Sequence, residues 1–512
     1  MKKIILFSIF LTALLLFTAC ANTDDGGGDA ADVTENQNDE LNGISDETGE
    51  SADPRDIPDG VPELDFGGAD FRIIYRDDCV RSNWNLYDVH QIEIWTEELN
   101  GDVINDALFE RNRAAEERLN VNIAGLSGRR ESELTGFVRR SIASSSDDFD
   151  FIAGRSNELA SLAADGLFVN WNGVPHIDTD MPWWIKDAMD EFSIRGRTFM
   201  AMSDLIFPGV IGEAAFIMFN HSLLADFGLE NPYAMVESNN WTIDVLNNIV
   251  RDCYIDVNGD TLRDVDDIYG FTSDAWGSAY AWMWAGGNRV TSKDGQGMPY
   301  YDIYTERNAV LLEKVNDLFY NNDGSAITNA RGNSIDFKGR GDQSYLFSEG
   351  NALFMLDRVG VLLTPDYRNA PFEFGILPIP KFDTAQEKYL TMINEHASVM
   401  AIPAYNNKLE MSGAVIEVLS AESHKKLVPA YYEVSLKTKY SRDEESVRML
   451  DLIFEGVVYD FGLLYAIQTY DMYQTILCNE GDPGTFASQI ERNQDRAETQ
   501  LQRILDLYDE ID

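Results

Sequence analysis

Apolar positions after residue 65 fall into two rhythms. Short, near-continuous apolar runs alternate with longer stretches in which apolar residues return every three or four positions. Phe71, Ile73, Ile74 and Tyr75 in DFGGADFRIIYRD predict a buried strand, and VNI, FDFIAG, AAFIMFN, FEFGILPI and ASVMAI predict others. INDALFERNRAAEERLNVNI sets Ile104, Leu108, Ala115 and Leu119 on one helical face, with Glu110, Arg111, Arg113, Glu116 and Glu117 largely outside it. NELASLAADG, NAVLLEKVNDLFY, LEMSGAVIEVLSAE and FASQIERNQDRAETQLQRILDLYD predict further helices. Strands alternating with helices predict an α/β architecture with mostly parallel sheets.

The start of the chain has another pattern. Residues 4–17, IILFSIFLTALLLF, follow Lys2 and Lys3 and are apolar apart from Ser8 and Thr12. The run falls short of the about 20 residues of a membrane span and fits the hydrophobic core of a secretory signal. It ends in Phe17-Thr18-Ala19-Cys20, which resembles the lipobox of bacterial lipoproteins, with Phe17 where leucine is usual. That resemblance implies removal of residues 1–19 as a signal peptide and lipidation of Cys20. Two or more acyl chains anchor stably, each buried CH₂ contributing about 0.8 kcal/mol. A plain signal with an incidental cysteine is the other reading. Residues 20–65 then form a flexible acidic linker, poor in large apolar residues and rich in Gly, Asp, Glu and Asn. Such a segment cannot bury enough surface to offset its ordering entropy.

Charge narrows the partners. The formal net charge of −47 argues against nucleic acid, which needs basic patches, and against anionic lipid heads. It suits an extracytoplasmic protein held at the cell membrane by its lipid. Cys79, Cys253 and Cys478 are far apart and make neither a disulfide framework nor a zinc site. His90, His176, His221, His396 and His424 have no metal spacing. There is no G-x-S-x-G, H-E-x-x-H or P-loop, and KGRGDQ lacks the third glycine of a dinucleotide loop. With 87 Asp and Glu, a carboxylate pair for glycoside hydrolysis stays open as an alternative, as does a non-transporting carbohydrate adhesin.

Six segments occur in a telling order: ERNRAAEERLNVNI; FDFIAGRSNELASLAADGLFVNW; GEAAFIMFNHSLLADFGLENPY; WTIDVLNNIV; FSEGNALFMLDR; FEFGILPIPK. Together they resemble the extracellular solute-binding proteins of ABC importers, in the maltose-binding-protein-like group (family 1), over about residues 66–512. The resemblance implies a two-lobed periplasmic-binding-protein-like α/β fold with a hinge and an interlobe cleft. Lobe one would take residues 66–200 and 350–402, and lobe two 203–349 and 403–512. It also implies a monomeric binder, not an enzyme, that captures a sugar or oligosaccharide by lobe closure and delivers it to ABC permease subunits. Closure has a mechanical logic: a guest that contacts both lobes favours the closed arrangement, so binding becomes a shape that a permease can read.

Sugars present apolar C–H faces rimmed by hydroxyls, so their sites want aromatic surfaces beside carboxylates, amides and arginine. TSDAWGSAYAWMWAGG is the richest aromatic cluster. The family's matching stretch supplies an acidic residue and aromatics, which points to Asp274, Trp276 and Tyr280; Trp282 and Trp284 read at least as readily as core. The family also places Arg155 and Asn157, after FDFIAG, at the cleft. MLDR offers Asp357 and Arg358, and NEHAS offers Glu395 and His396. Asp78 and Trp84 follow the first strand, and loops at the carboxyl ends of parallel strands form such sites. Surface polarity or packing is the competing reading for each. No cofactor is required. DVNGDTLRDVDD sets Asp256, Asn258, Asp260, Leu262, Asp264 and Asp267 at positions 1, 3, 5, 7, 9 and 12 of a calcium-loop pattern. Thr261 replaces the usual glycine and Asp267 the usual glutamate, so a structural calcium ion and a plain acidic loop both remain open.

Overall fold

In the computed structural model, residues 55–75, 94–126, 131–328, 335, 343–364, 367, 370–432, 444–480 and 482–510 are described. Cys20, Asp78, Trp84 and Cys79 lie outside them. The described residues belong to one compact unit.

Two sheets organise it. The first contains β1 (Ala69–Tyr75), β2 (Val121–Gly125), β3 (Phe151–Arg155) and β12 (Ser398–Ala401), in the order β12-β3-β1-β2. The second contains β4 (Ala215–Asn220), β5 (Tyr269–Asp274), β8 (Ser325–Thr328), β9 (Ala352–Arg358) and β10 (Phe374–Leu377), in the order β10-β4-β9-β5-β8. Small pairs are β6 (Thr291–Lys293) with β7 (Pro299–Tyr301), and β11 (Thr391–Met392) with β13 (Val457–Val458). The sheets are mixed rather than mostly parallel. β12 runs antiparallel to β3, and β4 runs antiparallel to both β9 and β10. These strands arrive by crossing from the other sheet, so their direction is not set by a local strand–helix–strand crossover.

The apolar runs explain the pairing. β4 and β10 are buried throughout, and β9 is buried up to Arg358. Strands buried on both faces need covering helices. Val103–Leu119, Ser156–Ala163 and Leu409–Glu422 pack around the first sheet; Ile243–Arg251, Glu306–Tyr320 and Glu444–Glu455 pack around the second. Val103–Leu119 begins where the Asp102 carboxylate accepts from the amides of Ile104 and Asn105, and ends at Asn120 in the left-handed region. Its face departs from the periodic reading at Arg111, which is fully buried. The guanidinium donates to the carbonyls of Leu205 (2.9 Å) and Ile94 and to Asn112 Oδ1, so hydrogen bonding rather than solvent satisfies it. Leu409–Glu422 approaches its neighbours closely at Gly413, where a Cβ would collide with the Pro175 carbonyl oxygen.

The two sheets exchange chain at a pair of adjacent crossings. Residues 201–214 leave the first sheet and residues 393–400 return to it. Ala201 and Met400 exchange both backbone hydrogen bonds (2.9 and 2.8 Å), and the Asn394 amide donates to the Glu213 carbonyl at 3.2 Å. β9 and β10 join the second sheet, where β4 and β5 supply the partners that a fully buried β9 needs, whereas the resemblance implies lobe one for 350–402. Leu409–Glu422 packs on Val103–Leu119, beside the first sheet, whereas the resemblance implies lobe two for 403–512. No described helix is long and apolar enough to cross a membrane.

Candidate ligand site beside the crossings

Glu395 sits on the returning crossing and is tied to both bodies. Its carbonyl accepts from Ser156 Oγ of the first body at 2.9 Å. Its carboxylate Oε2 accepts from the Tyr280 hydroxyl of the second body at 2.6 Å. Asn394 Nδ2 donates to the same hydroxyl at 2.8 Å, and the Asn394 Oδ1 accepts from the His396 amide at 2.9 Å. Burial pushes the Glu395 carboxyl above its usual range, against the opposing pull of the Tyr280 hydrogen bond and the Arg358 charge. Burial, with the Glu395 charge beside it, likewise holds the Tyr280 phenol well above its usual value. In this bond the Tyr280 hydroxyl donates and Glu395 Oε2 accepts.

Arg358 ends β9, and its guanidinium donates to Glu213 Oε2 at 2.8 Å. Glu213 lies on the other crossing and is 2% exposed, so the pair fixes a charged contact beside both crossings. Asp357 is buried next to it and accepts from the Arg358 amide at 2.8 Å. Arg155 ends β3 opposite Ser398 of β12. Asn157 stands in the first turn of Ser156–Ala163, its Oδ1 buried and without a hydrogen-bond partner among the described residues. His396 is half-buried, 3.7 Å from Glu395 Oε1.

A second group of aromatic and polar residues adjoins Tyr280. The Tyr470 ring meets it edge-on at 6.4 Å, and Trp284 does so from another side at 6.0 Å. Trp276 follows the carboxyl end of β5 and is 58% exposed, whereas Trp282 and Trp284 are core as expected. The Asp274 carboxylate accepts from the amides of Trp276 and Gly277, both at 3.0 Å, and so shapes the turn rather than reaching outward. Thus Tyr280, Glu395 and Arg358 gather at the crossings; Asp274 and Trp276 lie past Tyr280 on the second body.

Sequence reasoning passed over Glu213, Asn394, Tyr470 and Gln474. Asn394 precedes Glu395 directly. Glu213 is a charged residue at the mouth of the apolar run AAFIMFN, a signal that could have marked it. YDMYQ, which carries Tyr470 and Gln474, has no motif.

The calcium-loop pattern closes on itself. Asp256 accepts from the amides of Gly259 (2.7 Å) and Thr261 (2.9 Å), and Asp260 accepts from the amide of Leu262 at 2.8 Å. Thr261 takes the left-handed conformation (φ 63°) that the usual glycine would supply. Asp267, fully buried, accepts from the Tyr254 hydroxyl at 3.0 Å. Among the described residues no group of three or more His, Cys, Asp or Glu is placed to hold a metal ion.

No protein-family model matches the chain, and no curated protein matches it in sequence. Solved structures do match in fold. The maltose/maltodextrin-binding domain MalE from Bdellovibrio bacteriovorus, bound to maltotriose, superposes with a TM-score of 0.53 at 15% identity, covering 85% of this chain and 100% of that one. The maltose-maltodextrin binding protein of the thermoacidophilic bacterium Alicyclobacillus acidocaldarius gives 0.52 at 12% identity, covering 83% and 100%. UgpB from Mycobacterium tuberculosis, in complex with glycerophosphocholine, gives 0.52 at 14% identity, covering 86% and 98%. The chain has the two-lobed α/β fold of these binding proteins.

Proposed function

We propose that this chain is the extracytoplasmic substrate-binding component of an ABC importer, capturing a sugar or oligosaccharide between its two α/β bodies and delivering it to membrane permease subunits. The observation that carries the reading is Glu395. It lies on a crossing between the bodies and bonds Ser156 of one and Tyr280 of the other. A guest that rearranges hydrogen bonds there bears directly on the angle between the bodies, as hinge-closing binders require. The surrounding groups suit a sugar: amides at Asn157 and Asn394, carboxylates at Glu213 and Glu395 and a guanidinium at Arg358 for its hydroxyls, and an exposed indole at Trp276 for its apolar C–H face.

Several finer points belong to the same proposal. Cys20 carries the lipid, and the acidic linker after it holds a monomeric body away from the membrane. Metabolic labelling with a palmitate analogue should mark the wild type and not Cys20→Ser. A calcium ion in the 256–267 loop is a separable part of the proposal. It rests on the sequence pattern alone and acts, if bound, as a brace.

A panel of oligosaccharides tests the reading through ligand-induced shifts in Tm, followed by recovery of the bound saccharide. Capture predicts a shift and an intact saccharide after prolonged incubation. Shortened products would establish the hydrolase alternative. No shift across the panel would count against saccharide capture.

A further inference from the structure

Trp276 is the most exposed tryptophan among the described residues, yet it is held at both ends. The Asp274 carboxylate receives its backbone amide at 3.0 Å. Gln474, 9% exposed, takes the rest when its amide is turned to the orientation that satisfies both neighbours: the nitrogen then donates to the Trp276 carbonyl at 3.0 Å, and the oxygen accepts from the indole Nε1 at 3.3 Å. One side chain thus fixes both the main chain and the ring of a residue whose surface stays 58% open.

The segment bearing Gln474 is unusual. Ala466 (φ 46°) and Thr469 (φ 91°) are non-glycine residues with positive φ. Gln474 closes a short helix, Met472–Gln474, that runs straight into a π-helical stretch, Thr475–Glu480. Left-handed non-glycine residues and π turns both cost stability and concentrate where side chains must be aimed. The same segment sets Tyr470 against Tyr280.

We propose that Gln474 is a positioning residue that holds the Trp276 indole as a fixed plate for the apolar C–H face of a neutral pyranose. The inference rests on the saccharide reading above and deepens it. An indole free to rotate would have to be ordered when a sugar stacks on it; an indole already clamped avoids that cost. Neither bond of the clamp occupies a ring face, because one lies at the ring edge and the other on the backbone.

The test uses the full chain labelled with 5-fluorotryptophan, the Trp276 resonance being identified by its loss in Trp276→Phe. Maltotriose, cellotriose and xylotriose serve as probes in calorimetry. In Gln474→Ala the Trp276 line should narrow towards that of a mobile side chain, and the Kd of the tightest probe should rise about tenfold. Gln474→Glu keeps the acceptor for the indole N–H and should recover part of both, which a general loss of stability would not do. Unchanged line width and Kd in Gln474→Ala overturn the proposal. Trp276→Ala that binds as tightly as the wild type overturns it too, and removes the stacking role while leaving capture by closure intact. Failure of the wild type to bind any of the three probes counts against the saccharide reading, and the line width then decides the role of Gln474 alone.

Discussion

The Tyr280 hydroxyl donates to Glu395 Oε2 at 2.6 Å across the boundary between the second α/β body and the chain that returns to the first. Both groups are nearly fully buried, at 3% and 5% exposed. Tyr280→Phe removes the donor and leaves a buried carboxylate with one partner fewer, which costs about 1–3 kcal/mol. The Glu395 carboxyl, already raised by burial, should rise further because the bond that favours its charge is gone. A group with a raised folded-state pKa contributes stability that is complete below its unfolded value and is lost as pH rises through its folded value. The variant should therefore lose more stability than the wild type as pH climbs above the ordinary carboxylate range. Parallel slopes of Tm against pH would show that the bond does not tune Glu395.

A second buried carboxylate gives a separate pH prediction. Glu417 is fully buried and accepts from the indoles of Trp183 (2.9 Å) and Trp184 (3.1 Å) and from the Asp178 amide (3.3 Å). Burial pushes its carboxyl up to about 7 from 4.5, and the indole and amide bonds only partly oppose this. The folded chain therefore holds a proton that the unfolded chain releases. Stability should be greatest below about pH 4.5 as far as this group is concerned, and should fall by about 3 kcal/mol as pH passes 7. Glu417→Gln, neutral at every pH, should flatten that part of the profile. An unaltered slope in urea denaturation between about pH 5 and pH 8 would contradict the assignment.

Asp460 holds the aromatic layer behind Tyr280. It is fully buried, and its two oxygens accept from Trp284 Nε1 (2.8 Å), the amides of Val290 (2.6 Å), Thr291 (3.2 Å) and Gly462 (2.8 Å), and the Thr291 hydroxyl (2.9 Å). Asp460→Ala strands several buried donors at once and should destabilise the chain by about 3–5 kcal/mol. Trp276→Ala, at an exposed position that gives up one bond to Gln474, should change stability by about 1 kcal/mol or less. Chemical denaturation of the two variants side by side checks the contrast.

Much of this arrangement is legible in the sequence. FRIIY, FDFIAG, AAFIMFN and ASVMAI contain strands because near-continuous apolar runs of that length are stable only when covered on both faces. The candidate residues Tyr280, Arg358 and Glu395 do converge. What periodicity could not convey is which sheet a strand joins. β9 and β12 look alike as apolar runs, yet lie in different sheets, because pairing depends on contacts over a hundred residues away. The burial of Arg111 escapes periodicity for a related reason: a helix face shows that a residue is charged, not that the carbonyls of Ile94 and Leu205 wait beside it. Gln474 carries no sequence signal, since an amide that braces an indole looks like any other glutamine.

The 256–267 loop offers a cheap measurement. A calcium ion gathered by Asp256, Asn258, Asp260, Asp264 and Asp267 would stabilise the folded state by mass action, by about 2.7 kcal/mol at a hundredfold excess over Kd. Tm should rise with added calcium and fall again with chelator, and Asp256→Ala should abolish the response. A Tm indifferent to both would leave the loop as a self-closed acidic turn.

Small-angle scattering of the chain, with and without a saturating oligosaccharide chosen by its Tm shift, tests the central claim most directly. Two bodies joined by adjacent crossings and closing on a guest predict a smaller radius of gyration in the bound state, returning to the free value when the saccharide is removed. A saccharide shown by calorimetry to be bound, with scattering curves that superimpose, would contradict capture by closure.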